Sequence, residues 1–230
     1  MKAFEEFLAE ALDTETFQAQ AKSVKGLTLK GGISGNSATY QFMALYAHMH
    51  LFLADVKKFA QQEGLALTPG NSVFIMKSDL CSIQVSQNYP DITLMLKLEA
   101  GATKNTDIKK ALKLLTSLVK VLEGRVKVLK TYSKVVVGIQ DICVKHKKAI
   151  GNVRIMAALD SNGDVTSLTV APPKGFSGDV DDYFSDDFVK DLLKSRVVPD
   201  ANKLGIKKVD VAASIAGTDI FDIRGLASLK

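Results

Sequence analysis

Apolar residues recur through residues 106–132 at alternating steps of four and three, which is the spacing of one face of an α-helix. They are Ile108, Leu112, Leu115, Val119, Leu122, Val126 and Leu129. Lysines fill the opposite side, so the pattern predicts a long amphipathic helix over residues 106–132. Beyond it the sequence becomes more apolar and Gly138 interrupts the pattern. The helix either bends or ends there, or residues 133–142 form a separate buried segment.

The same alternation between residues 38 and 62 predicts a second amphipathic helix. Its apolar positions are Phe42, Leu45, Met49, Phe52, Val56 and Phe59. Gly64 is placed to end this helix, and Asn36 or Ser37 to cap its start. The preceding glycine-rich stretch, residues 31–37, lacks the Gly-Lys-Ser/Thr ending of a phosphate-binding loop and indicates a plain turn.

Alternation with a period of two predicts strands in two regions, within residues 72–98 and within residues 153–170. The second region has Asn162-Gly163 between its alternating runs, which is typical of a β-hairpin. A short helix comes next, with Asp186 and Asp187 at its N-terminus, and Pro199 is expected to end it. The elements together predict an α+β fold, in which the two long helices pack on one antiparallel sheet.

The predicted elements define one compact domain over residues 25–230, preceded by a targeting or linker segment over residues 1–24. Residues 14–23 are mostly polar and indicate a linker or a frayed helix. A chain of 230 residues is long enough to bury a full core.

The net charge of +5 comes almost entirely from lysine, because only four of the 30 basic residues are arginine. Arginine is the usual reader of guanine edges, so its scarcity disfavours sequence-specific DNA recognition. Diffuse attraction to a polyanion is compatible with this charge, and so is a plain solvated surface. The candidate contacts for a polyanion are Lys109, Lys113, Lys120 and Lys127.

No motif of catalysis, cofactor binding or metal binding is found. The sequence has no Gly-x-Ser-x-Gly elbow and no Cys/His zinc spacing. His48 and His50 are two residues apart, so on a helix they point in nearly opposite directions and cannot share a metal ion. Cys81 and Cys143 lie in apolar contexts and are expected to be reduced core residues. We therefore predict a protein that is not an enzyme and that needs no cofactor or metal.

The first twelve residues have an apolar face of their own. Phe4, Phe7, Leu8, Ala11 and Leu12 fall on one side of a short helix, with glutamates away from it. A helix this short is marginal unless its apolar face docks on something. That surface belongs either to its own domain or to a partner.

This N-terminus resembles the capsid-targeting peptide of internal head proteins in T-even-type contractile-tailed bacteriophages. In that family a prohead protease cuts after a glutamate with leucine or isoleucine two residues before it and a small residue after it. Leu8, Glu10 and Ala11 fit this rule, and no other glutamate does. The resemblance covers about a dozen residues, in which Phe4, Phe7 and Leu8 form the targeting face.

The resemblance implies entry into the assembling prohead core and cleavage between Glu10 and Ala11. The partners would be the prohead core, its protease, packaged DNA held by non-specific electrostatics, and an unidentified host protein. The protein would be found inside the phage head and then in the host cytoplasm, with no membrane partner. The sequence does not specify its oligomeric state.

Two other functions fit the sequence. One is an uncleaved structural or assembly protein of the virion, whose N-terminal helix docks on a partner or on its own core. The other is a phage-encoded enzyme whose catalytic residues are far apart in the sequence. A polar cluster converging in a deep pocket would favour the enzyme.

Overall fold

The computed structural model describes residues 14–44, 49–70, 72–88, 91–100, 102, 104–213 and 220–229. It confirms the α+β class, with helices, antiparallel pairing and a long helix packed against a sheet. Counting only described residues, the contacts divide the chain into two units. The first contains the described residues within 14–44 and 55–124, and the second contains those within 49–54 and 125–229. One domain over 25–230 stays a prediction, because contacts do not show whether the units fold separately.

The first unit contains a six-stranded antiparallel sheet. Helix α1 covers described residues 14–21 and comes before the first two strands of the sheet. Helix α2 (Leu53–Gln62) begins at the boundary between the units and comes before the other four strands. The strands are β1 (Thr28–Leu29), β2 (Ser37–Ala44), β3 (Ala66–Pro69), β4 (Val73–Lys77), β5 (Cys81–Asn88) and β6 (Asp91–Leu98). Their order across the sheet is β1-β2-β6-β5-β4-β3. The predicted strands within residues 72–98 are confirmed as β4, β5 and β6.

One face of this sheet is buried. Alternate residues of β6, from Ile92 to Leu98, are at most 4% exposed, and Ile83 and Val85 of β5 share that face. The first half of helix α3 contributes a buried stripe of its own. Its members are Ile108, Ala111, Leu115, Leu118, Val119 and Leu122.

The predicted helix over residues 38–62 is wrong in its first part. Residues Ser37–Ala44 form strand β2, which pairs with β6 from Ser37 opposite Lys97 to Ala44 opposite Asp91. Asn36 and Ser37 therefore cap no helix. Helical structure resumes with a 3-10 turn at Met49–Phe52 and continues into α2, and Gly64 comes after the end of α2 with φ of 66°. Pairing with a distant strand outweighed the local three-four spacing.

Helix α3 (Asn105–Lys145) is longer than predicted, with 41 residues. Residues 133–142 belong to it, so Gly138 neither ends the helix nor starts a separate segment. Gly138 instead permits close packing, because a β-carbon there would lie 2.9 Å from Cγ2 of Val197. Gly124 lies in the same helix with no heavy atom within 4 Å of the equivalent position.

Replacing each of these two glycines by alanine should change the stability of the protein in opposite directions. Gly124→Ala is expected to raise the free energy of unfolding by about 0.5–1 kcal/mol, because alanine favours the helix and meets nothing. Gly138→Ala is expected to lower it by about 1–2 kcal/mol, because the clash with the buried Val197 side chain exceeds the gain in helix propensity. Urea denaturation measures both, and the double variant Gly138→Ala/Val197→Ala should relieve the clash. If the two alanine substitutions change the free energy of unfolding equally, the close contact between Gly138 and Val197 would be contradicted.

The second unit contains a separate sheet, so the strands near residues 153–170 do not join the first sheet as predicted. The strands are β7 (Arg154–Leu159), β8 (Val165–Ala171), β9 (Lys208–Val211) and β10 (Ile220–Asp222), and the order is β10-β7-β8-β9. The β8–β9 pair is parallel and the others are antiparallel. The predicted hairpin is confirmed as β7 and β8, with Gly163 at φ of 78° in its turn.

Three helices connect β8 to β9 in this unit. They are α4 (Val180–Tyr183), α5 (Asp186–Lys194) and α6 (Val197–Lys203). Helix α5 starts as predicted, with the Ser185 hydroxyl accepting from the Phe188 amide and two aspartates in the first turn. Pro199 does not end it, however. Proline is tolerated in the first turn of a helix, and Pro199 lies in the first turn of α6.

Candidate functional site

The predicted processing site and targeting face lie outside the residues that the structure describes. They comprise Phe4, Phe7, Leu8, Glu10 and Ala11. The described chain begins shortly after them, with helix α1 at residue 14.

Helix α1 is packed into the first unit. Phe17 is 1% exposed and Ala21 is fully buried. The Gln20 side chain donates to Oδ1 of Asn105 at 2.9 Å, and the Tyr40 hydroxyl donates to the Ala21 carbonyl at 2.9 Å. Residues 14–21 are thus part of the folded unit, although they were predicted to belong to the targeting or linker segment.

The Tyr40 hydroxyl is suited to hold the end of α1. Burial raises the pKa of Tyr40 to about 12, so the hydroxyl keeps its hydrogen to donate well above neutral pH. The acceptor is a carbonyl in the last turn of the helix, which has no partner within the helix itself. A side chain from strand β2 therefore fixes where α1 ends.

The four lysines predicted to contact a polyanion are all on helix α3 and all exposed. Lys109, Lys113 and Lys120 belong to the first unit, and Lys127 belongs to the second. None of the four forms an ion pair with another described residue, whereas Lys145 near the end of the helix pairs with Asp191 at 2.6 Å. Their charges are therefore available to a partner.

Two further lysines, which sequence reasoning did not single out, lie beside the first half of α3. Lys22 and Lys25 are exposed and come after α1 in a turn. Gln20 contacts Asn105 before this turn, and a β-carbon on Gly26 after it would lie 3.7 Å from Cγ1 of Val119. The signal was missed because this proximity depends on the docking of α1.

A polar cluster in the second unit joins the end of α3 to α5. Oδ2 of Asp191 lies 2.6 Å from Nζ of Lys145 and 2.8 Å from Nε2 of His146. The hydrogen bond from Lys145, and then that from His146, lower the pKa of Asp191 below its usual value. No sequence pattern indicates this cluster, since its two halves are more than forty residues apart.

A histidine oriented by a carboxylate is part of many catalytic triads, but a nucleophile is also required. The nearby thiol is Cys143, one turn before His146 on α3. Burial raises the pKa of Cys143 to about 11, so the thiol is protonated at neutral pH and is not activated for attack. The cluster therefore has the geometry of an ion-paired contact between helices.

The second unit also has a shallow, open groove of about 560 Å³. Its lining includes Tyr132, Asp160, Asp164, Leu204 and Lys207. The carboxylates are already engaged: Oδ1 of Asp160 accepts from two amides of its own turn, and Asp164 pairs with Arg125. These bonds stabilise the hairpin turn.

Within the described ranges, no group of three or more histidine, cysteine or acidic side chains could hold a metal ion. Among the helices described, none has the length and apolarity needed to cross a membrane.

Comparison with known proteins gave no relative. No family model, no curated protein and no solved structure matches this chain.

Proposed function

We propose that this chain is an internal head protein of a bacteriophage, directed into the prohead by residues 1–10 and cleaved between Glu10 and Ala11. The observation that carries the proposal is the sequence Leu8-Ala9-Glu10-Ala11 within an amphipathic N-terminus. Of the seven glutamates, only Glu10 has leucine or isoleucine two residues before it.

The position of helix α1 supports cleavage at this bond. Phe17, the first buried apolar residue of the described chain, comes seven residues after Glu10. A product beginning at Ala11 would therefore retain Phe17, Gln20 and Ala21, which tie α1 to the first unit.

The other described glutamates are not protected by burial. Glu15, Glu63 and Glu123 are exposed, and Glu99 is half-buried. In this proposal the protease does not cut after these glutamates, because none has leucine or isoleucine two residues before it. The residues at that position are Asp13, Gln61, Lys97 and Val121. No glutamate occurs in residues 45–54 or 125–230, so the second unit offers the protease no site.

The mature protein would be more positive than the full chain, because residues 1–10 contain three glutamates and one lysine. A more positive protein suits packaging alongside DNA, where lysines neutralise phosphates without reading sequence. In the host it would act by binding a protein of the cell rather than by catalysis.

The test is the N-terminal residue and intact mass of the protein purified from virions. We expect a chain that begins at Ala11. Glu10→Gln should leave residues 1–10 attached, and the matched change Glu15→Gln should not affect processing. A wild-type chain that begins at Met1, or a Glu10→Gln chain that is still cut at this bond, would overturn the proposal.

One observation favours an alternative, an uncleaved structural protein of the virion. Helix α1 is packed rather than detached, as a folded N-terminal element of an assembly protein would be. The alternative requires that the chain in virions begin at Met1. The same measurement therefore separates the two functions.

A further inference from the structure

The lysines that lie together in the first unit form a basic surface. We define it as Lys22, Lys25, Lys109, Lys113 and Lys120, all exposed. None of them has an ion-pair partner among the described residues. By contrast Lys30 of the same unit is neutralised by Asp91, whose Oδ2 lies 2.9 Å from its Nζ.

Helix α3 places three of these lysines in one row. Lys109, Lys113 and Lys120 fall within about 40° of one another around the helix axis and extend along it for about 16 Å. Lys22 and Lys25 belong to the turn after α1, and the contacts of Gln20 and Gly26 with α3 hold this turn alongside the helix. An acidic side chain also lies beside the turn, since Oε1 of Glu123 would lie 3.5 Å from a β-carbon on Gly26.

We propose that this basic surface binds the phosphate backbone of double-stranded DNA without regard to sequence. A length of about 16 Å along one strand corresponds to roughly five nucleotides, so several phosphates lie within reach of the row. Lysine supplies charge without the fixed fork by which arginine reads guanine, and the surface has no arginine.

The choice of a duplex over a single strand rests on the described aromatic side chains of the first unit. Proteins that hold single strands combine positive charge with aromatic side chains on which the bases stack. No described aromatic side chain of the first unit is exposed, and Phe17, the aromatic residue of α1, is 1% exposed. The surface therefore offers charge to a backbone and no platform for a base.

The basic surface would be the part of the proposed head protein that meets packaged DNA, so its biological setting rests on the proposed function. The two proposals can fail separately. DNA binding is measured on the purified full chain, whereas processing is read from protein in virions.

The experiment is a fluorescence-anisotropy titration of a short mixed-sequence duplex over a range of salt concentrations. Five phosphate contacts predict that log K falls with log[salt] with a slope of about −4.5. Lys113→Gln/Lys120→Gln should reduce the magnitude of the slope by about 1.8, since two contacts are lost. Lys113→Arg/Lys120→Arg keeps both charges and should leave the slope unchanged.

The matched control is Lys57→Gln/Lys58→Gln. It removes the same charge from exposed positions of α2, so its slope should equal that of the wild type. Equal losses of slope in the two glutamine variants would show attraction by net charge and overturn the assignment to this surface. Absence of wild-type binding at low salt, or tighter binding to the single strand than to the duplex, would also overturn it.

Discussion

Replacing Arg125 by methionine is expected to lower the free energy of unfolding by about 2–4 kcal/mol. The Arg125 side chain is 4% exposed, and its Nη1 lies 2.9 Å from Oδ1 of Asp164. Its Nη2 donates to the Asn162 carbonyl at 2.6 Å and its Nη1 to the Gly163 carbonyl at 3.4 Å. Methionine fills much of the volume but provides no donor, so these acceptors in the hairpin turn lose their charged partner.

The loss should be specific to the buried guanidinium. Lys127→Met removes a positive charge from an exposed position two residues further along α3 and should change stability by no more than about 0.5 kcal/mol. Asp164→Asn should cost less than Arg125→Met, because Asp164 is half-exposed and Arg125 keeps both carbonyls. Urea denaturation followed by far-UV circular dichroism measures all three. If the free energy of unfolding of Arg125→Met is within about 0.5 kcal/mol of the wild-type value, the hairpin turn is stable without Arg125.

The elements that were predicted well from the sequence have local causes. The apolar spacing of α3 repeats every few residues, and a helix needs no distant partner to make its backbone hydrogen bonds. The hairpin of β7 and β8 depends on Asn162-Gly163 and on the alternating residues beside it. In both, the residues that determine the structure are close together in the sequence.

Strand β2 was not predicted because the strand that it pairs with lies about fifty residues away in the sequence. Its partner β6 begins at Asp91, and residues 38–44 contain apolar positions that satisfy a helical period as well. Alternation was nevertheless present, since Ala38 and Tyr40 are buried while Thr39 and Gln41 are half-buried. Only the pairing with β6 decided between the two periods.

The candidate sites divide in the same way. The cleavage motif is read from four consecutive residues and was available from the sequence. The contribution of Lys22 and Lys25 to the basic surface depends on how α1 docks. The stabilising role of Arg125 likewise depends on a turn nearly forty residues later. A single sequence contains no periodic signal for contacts of this kind.

Replacing Phe17 by alanine is expected to lower the free energy of unfolding by about 3–5 kcal/mol, which is typical of truncating a buried phenylalanine. Phe17 is 1% exposed, and Ala21 is the other buried residue in the described part of α1. The matched control is Phe176→Ala in the second unit. Phe176 is 37% exposed, so the same chemical change should cost about 1 kcal/mol or less.

The same substitution tests whether the packing of α1 depends on residues 1–10. In a chain that begins at Ala11, Phe17→Ala should cost as much as in the full chain, because cleavage after Glu10 leaves α1 in place. A loss that is large in the full chain and absent in the shortened one would mean that α1 is held by residues 1–10. A chain that begins at Ala11 would then carry an α1 that no longer packs, which would contradict a stable mature protein with that N-terminus. Equal losses would show that α1 packs without residues 1–10, as the proposed cleavage after Glu10 requires.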